Sequence, residues 1–224
     1  LAGCINLIPA ILNGQNIYIW SIVTCVYITV MTLVLIEGLN VKCFAAGVGC
    51  VGGVLVAGAL ELLLRDQIKM SGVLDSEWLY LYNLRKDNPI DLKAIIFAMI
   101  IVGAVGAVMD VAMSIASSLC EINEKSPDLP ARELLKSGLT IGRDIMGTMA
   151  NTLVLAYIGS ALCCMLLMVT YSSNVSQILN REQIAVEILQ ALAGSIGILA
   201  ALPLTAITSV LCLKPLNRIK RSVH

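Results

Sequence analysis

The 224 residues are 58% hydrophobic and only 13% charged, where a soluble globular domain carries about 25% charged residues. That composition excludes a polar, water-covered surface and points to a membrane. Fifteen Lys and Arg balance fifteen Asp and Glu, which excludes a basic nucleic-acid binder. The one histidine is the terminal His224, which excludes a His-based metal site or a catalytic triad.

In chain order, six stretches are almost free of charge: 1–12, 18–36, 43–64, 95–120, 145–170 and 188–213. Only Glu61 and Asp110 interrupt them. A helix needs about 20 apolar residues to cross the hydrocarbon core, and five stretches are long enough. The first is too short. The chain begins at Leu1 rather than Met, so the expectation is the end of a sixth helix cut from something longer. No period-two alternation suits a barrel, and helix is then the state that satisfies every backbone group in lipid.

The connections predict topology. Residues 37–42 form a tight turn, so the helices on either side are neighbours. The 65–93 connection carries the run Trp78-Leu-Tyr-Leu-Tyr82, suited to the membrane surface. In the 121–143 connection, Ser126-Pro-Asp-Leu-Pro130 reads as a turn and helix start. A short amphipathic helix follows at about 131–138, with Leu134 and Leu135 on one side and Arg132, Glu133 and Lys136 on the other. Such a helix lies along the cytoplasmic membrane surface. If the basic tail, 214–224, is cytoplasmic, nine Lys and Arg fall inside and six outside, the expected direction of bias. Tyr18, Trp20, Trp78, Tyr80, Tyr82 and Tyr171 then cluster at the outer interface, where such rings anchor. The expectation is one transmembrane domain over 1–213 in the plasma membrane, with the C-terminus cytoplasmic.

All eight cysteines lie in or beside apolar stretches without zinc-finger spacing, and read as small apolar packers. There is no Walker loop, no dinucleotide fingerprint and no H-E-x-x-H motif. Neither a metal nor another cofactor is expected, and without a nucleophile–base pair neither is an enzyme.

Asp110 is the informative residue. It lies near the middle of an otherwise uncharged run, where an ionised carboxylate costs several kcal/mol on insertion scales. Gly103, Gly106, Asp110, Ser114, Ser117 and Glu121 follow at helical steps of three or four and share one side. Two roles fit. Desolvation raises a carboxyl pKa toward neutrality, allowing proton or cation handling; or the carboxyl stays protonated and serves only packing. In 145–170 and just before it, Asp144, Thr148, Asn151 and Thr152 form a stripe of candidate partners. In 188–213, Pro203 interrupts the helical ladder ahead of Thr205, Thr208 and Ser209. Gly49 and Gly53 form a G-x-x-x-G, a signature of close helix contact. Glu61, one turn from the outer end, is expected to snorkel.

Two segments carry a family resemblance: Gly103-Ala-Val-Gly-Ala-Val-Met-Asp110-Val-Ala-Met-Ser114 and Gly142-Arg-Asp-Ile-Met-Gly-Thr-Met-Ala-Asn151-Thr-Leu153. They resemble the YibE/F family of multi-pass bacterial membrane proteins, over nearly the whole chain. More distantly, the order of elements is similar to the membrane half of SecD/SecF and other proton-driven RND permeases. In that comparison Asp110 matches the fourth-helix aspartate and Glu121 an acidic position closing that helix. Ser137-Gly138 matches a small-Gly pair, and Thr152 the first Thr of a T-T pair. The fifth-helix aspartate falls on Thr148, with Asp144 one turn nearer the cytoplasm, and the Asn after the fourth-helix aspartate is Ala112.

The resemblance implies an all-α, six-helix half bundle of the RND type, paired as a homodimer or with a sister subunit. It implies a proton- or cation-coupled permease, or the energising subunit of a transporter. Asp110 would take the proton, Ser114, Thr148 and Asn151 would hydrogen-bond it, and Asp144 would stand in for the second carboxylate. The other class that fits is a non-transporting membrane scaffold or assembly factor.

Overall fold

The computed structural model describes residues 8–9, 11, 15–38, 40–68, 78, 91–171 and 182–222. Among them are five long helices: α1 (Ile17–Glu37), α2 (Val41–Ile68), α3 (Leu92–Lys125), α4 (Ala131–Tyr171) and α5 (Glu182–Ser222). All five are long and apolar enough to cross a membrane. The sixth helix expected from 1–12 lies almost wholly outside the described residues.

Local chemistry sets the boundaries. The Asn16 side chain accepts the Tyr18 amide at 3.2 Å and starts α1. Asp91 accepts the amides of Lys93 and Ala94 at 3.0 and 3.3 Å and starts α3. Side-chain oxygens in this position satisfy amides that the first helical turn leaves unpaired. Gly38, at φ 71°, closes α1 and returns its amide to Val34, a left-handed backbone that glycine adopts without penalty. The α1–α2 turn is therefore as tight as expected. Between α3 and α4, the Pro130 carbonyl accepts the amides of Glu133 and Leu134, so α4 begins directly after the proline.

Residues 131–138 are not a separate surface helix. Hydrogen bonding runs unbroken from Ala131 to Tyr171, 41 residues in one element. The sequence side of the expectation holds, with Leu134 buried and Arg132, Glu133 and Lys136 exposed. The helix also runs on through Gly138 and Gly142 without a break. A Cβ on Gly138 would come within 2.8 Å of Leu119, and one on Gly142 within 2.7 Å of Leu202. Both glycines make room for neighbours and leave the helix intact. Likewise α5 passes through Pro203 and stays helical to Ser222, so the loss of one amide does not end it.

The centre of the bundle is α2 and α5 against α3. Gly53 on α2 faces Gly197 on α5 so closely that a Cβ on Gly53 would sit 2.6 Å from the Gly197 carbonyl oxygen. A Cβ on Gly49 would overlap the Thr205 hydroxyl. Small residues at these crossings let backbones approach where no hydrophobic force drives helices together in lipid. The Thr208 hydroxyl also donates across the crossing to the Ala45 carbonyl at 3.3 Å. On α3 the residues facing this centre are Ala104, Val108, Val111, Ala112, Ile115 and Leu119, all buried.

The helix ends joined by 69–90 and 172–181 will be called the connection end, and those joined by the two short turns the turn end. At the connection end Arg65 donates to the Tyr18 phenol oxygen at 2.6 Å, and that phenol donates to Asp91 at 3.4 Å. The Arg65 guanidinium also lies over the Tyr18 ring, 5.5 Å from its centroid. One tyrosine thus ties α1, α2 and the start of α3. Glu61 does not snorkel. It is wholly buried, at 0% exposure.

Candidate functional site

The helical arithmetic that puts Gly103, Gly106, Asp110, Ser114, Ser117 and Glu121 on one side of α3 is realised, but that side faces outward. Gly103, Gly106, Asp110 and Glu121 are exposed, and Ser114 and Ser117 half-buried, while the opposite side fills the core. A Cβ built on Gly106 would meet nothing within 4 Å. Among the described residues, no other helix of the same chain covers this stripe at Asp110.

The α3–α4 hairpin sets the level of the partners. Leu119 lies against Gly138, Ile115 against Gly142 and Tyr157 against Gly103. Each step along α3 is matched by a step back along α4, so Asp110 is level with 147–150. Thr148, Asn151 and Thr152 are exposed there, and Asp144 is exposed one turn nearer the turn end. Only 11% of the apolar window of α4 is buried, against 56% for α3. The two polar stripes therefore lie level with one another on a lateral face that the described helices leave open.

The hydroxyls on this face are spent on their own helices. Ser114 donates to the backbone carbonyl of Asp110 at 2.8 Å, Thr148 to that of Ile145 at 2.8 Å and Thr152 to that of Thr148 at 2.9 Å. Such back-bonding satisfies a hydroxyl in lipid without a second helix. Neither Ser114 nor Thr148 donates to the Asp110 carboxylate, contrary to the expected cradle. Glu121 is ion-paired to Lys125 at 2.7 Å, both side chains largely exposed, so it marks the helix end. Asp110 lies 11 residues before it, about 16 Å along the axis at 1.5 Å per residue. That is close to half the ~30 Å hydrocarbon thickness.

A hollow of about 970 Å³ opens between α1 and α2, with Val30, Leu33, Phe44, Val48 and Leu55 in its walls. It carries no carboxyl, amine or imidazole and suits hydrocarbon. No group of three or more His, Cys, Asp or Glu among the described residues has the geometry to hold a metal ion.

One polar cluster escapes the sequence reading. Tyr157, Glu187 and Ser195 line a cavity of about 270 Å³ between α4 and α5, and Gln190 is buried beside Gly103. A span drawn from the first uncharged residue, 188, leaves Glu187 in a connection, whereas α5 begins at Glu182. The available signal was the spacing of Glu187 and Gln190, three apart on a helical face.

Five membrane-length apolar helices around a glycine-packed centre define a polytopic helical membrane protein. A family model for YibE/F-like proteins matches residues 1–215, and the chain belongs to that family. Comparison with curated proteins and with solved structures gives no match.

Proposed function

We propose that this protein is a proton- or cation-coupled permease, or the energising subunit of a transporter, and that it works as a homodimer or beside a sister subunit. The observation that carries the reading is the outward placement of Asp110 near mid-membrane, level with Thr148 and Asn151 on a face that the described helices leave open. A carboxylate at the bilayer centre is not left facing lipid; such groups face a bundle interior or a water-filled cavity. A second copy laid on this face would supply that interior, and would set two Asp110 carboxyls near one another across a twofold axis. Such a carboxyl binds a proton when one side has water access and releases it to the other.

The resemblance read from the order of elements in the sequence, to one half of an RND permease, suggests the same pairing as an analogy of architecture, which by itself does not confer function. In this reading the turn end and the basic tail are cytoplasmic, supported by the distribution of Lys and Arg. The membrane is the plasma membrane, and the chain is not an enzyme.

Reconstitution tests it. Proteoliposomes holding the protein, with a pH gradient imposed across them and a pH-sensitive dye inside, should take up protons several-fold faster than protein-free vesicles of the same lipid. Equal rates in the two preparations would remove the coupling role and favour a scaffold.

A further inference from the structure

Besides Asp110 and the buried Glu61, a further carboxyl lies inside the membrane-spanning part of the bundle, at Glu187 in the second turn of α5. Its Oε2 is buried without a hydrogen-bond partner, and the phenol oxygen of Tyr157 on α4 lies near it, within reach of the Gln190 amide. A buried polar atom left unpaired is costly, and each such atom calls for a partner that comes and goes, such as a proton or a water. Both residues line the cavity of about 270 Å³ between the two helices, room for several waters at roughly 30 Å³ each. The rest of its wall is almost entirely apolar, with Ser195 donating to its own Ala191 carbonyl at 2.8 Å.

The cluster points along the Asp110 face. A Cβ on Gly103 would come within 2.8 Å of the Tyr157 oxygen and 2.9 Å of the Gln190 nitrogen. These two groups thus converge on the start of the polar stripe of α3. From Gly103 the stripe continues through the open position Gly106 to Asp110, seven residues or about 10 Å along the axis. Tyr157 is the titratable group facing Glu187 from α4. The apolar cluster on this part of α5 draws Ala57 and Leu60 from α2 and Ile96 and Ile100 from α3, and the buried Glu61 is the carboxyl beside that cluster on α2.

We infer that Glu187 is a second protonation site, exchanging protons with water at the connection end and relaying them past Tyr157 and Gln190 toward Asp110. The step is a proton transfer alone. The Glu187 acid releases its proton to a water of the cavity and becomes a carboxylate, and the Asp110 carboxylate, at the other end of the water chain, gains one. The inference rests on the proton-coupled reading of Asp110 and adds the route by which the proton arrives.

Infrared titration of the reconstituted protein tests it without needing flux. Wild type should show a protonated-carboxyl C=O band, absent in Glu187→Gln, that fades as pH is raised. Asp110→Asn should move its midpoint by about 0.8 pH unit, as expected for two carboxyls about 15 Å apart at an effective dielectric near 20. Tyr157→Phe, which removes only the phenol oxygen, should move it as well. A Glu187→Gln spectrum identical to wild type, or a midpoint indifferent to both other substitutions, overturns the relay. If Glu187→Gln does not fold, the Tyr157→Phe titration decides alone, and an unchanged curve overturns it. Should Asp110→Asn abolish flux while Glu187 does not titrate, the relay alone is lost. Should Asp110→Asn leave flux intact, the coupling reading is lost whatever Glu187 does.

Discussion

Replacing Asp110 with Asn is expected to reduce pH-driven proton uptake in proteoliposomes at least tenfold, to the rate of empty vesicles, with the protein still folded and inserted. The amide matches the carboxyl in size and presents similar hydrogen-bonding atoms, so packing changes little. What it cannot do is bind and release a proton. The structure makes this separation clean, because Asp110 is exposed on α3 and the core-facing residues Val108, Val111 and Ala112 on the other side are untouched. Asp110→Glu keeps the chemistry but moves the carboxyl by one methylene, and should retain part of the flux. Uptake in Asp110→Asn equal to wild type would show that the carboxyl is not the coupling group. Loss of flux accompanied by loss of folded protein would show instead that Asp110 serves packing.

The second large effect is structural. Gly53→Leu should prevent α2 and α5 from reaching their present separation. Even the first added carbon would lie 2.6 Å from the Gly197 carbonyl oxygen, 2.8 Å from Val108 Cγ1 and 2.9 Å from Ala201 Cβ. The first of these is backbone and cannot rotate away. Overpacking a core costs about 1–3 kcal/mol where side chains can yield, and here the helices themselves must part, so the cost should exceed that range. Gly159→Ala is the control. It lies on the open side of α4 with nothing within 4 Å, and alanine is the better helix former by roughly 0.5–1 kcal/mol. Thermal challenge in detergent, followed by size-exclusion chromatography, should show early loss of the Gly53→Leu peak and an unchanged or later transition for Gly159→Ala.

Much of this molecule can be read from where charges are missing. Hydrocarbon tolerates few charges, so five spans stand out by composition, and Asn16, Gly38, Asp91 and Pro130 sit at their ends as cap chemistry requires. The glycine row on α2 also announces a close crossing, since small residues let helix backbones approach. Three things are less legible. The joined length of α4 depends on Gly138 and Gly142 being packed rather than hinged, and the glycine symbol is the same for both. Glu187 hides because a charge ordinarily marks the boundary of a span, whereas α5 carries it inside. The third is the direction of the Asp110 stripe. Periodicity groups residues on a side of a helix but does not say what that side meets. In a soluble protein a polar side faces water by default; in a membrane it faces protein, and here none of the described helices of the same chain covers it at Asp110.

The pairing of that face with a second copy is the central claim. A photoreactive amino acid placed at Gly106, four residues from Asp110 on the same open stripe, tests it in intact membranes. With Leu211, 67% exposed on α5, as the comparison position, illumination should give a chain-to-chain adduct of dimer mass from position 106 and monomer from position 211. Monomer from both positions, with the label at 106 recovered on lipid, would contradict the pairing and leave Asp110 facing hydrocarbon.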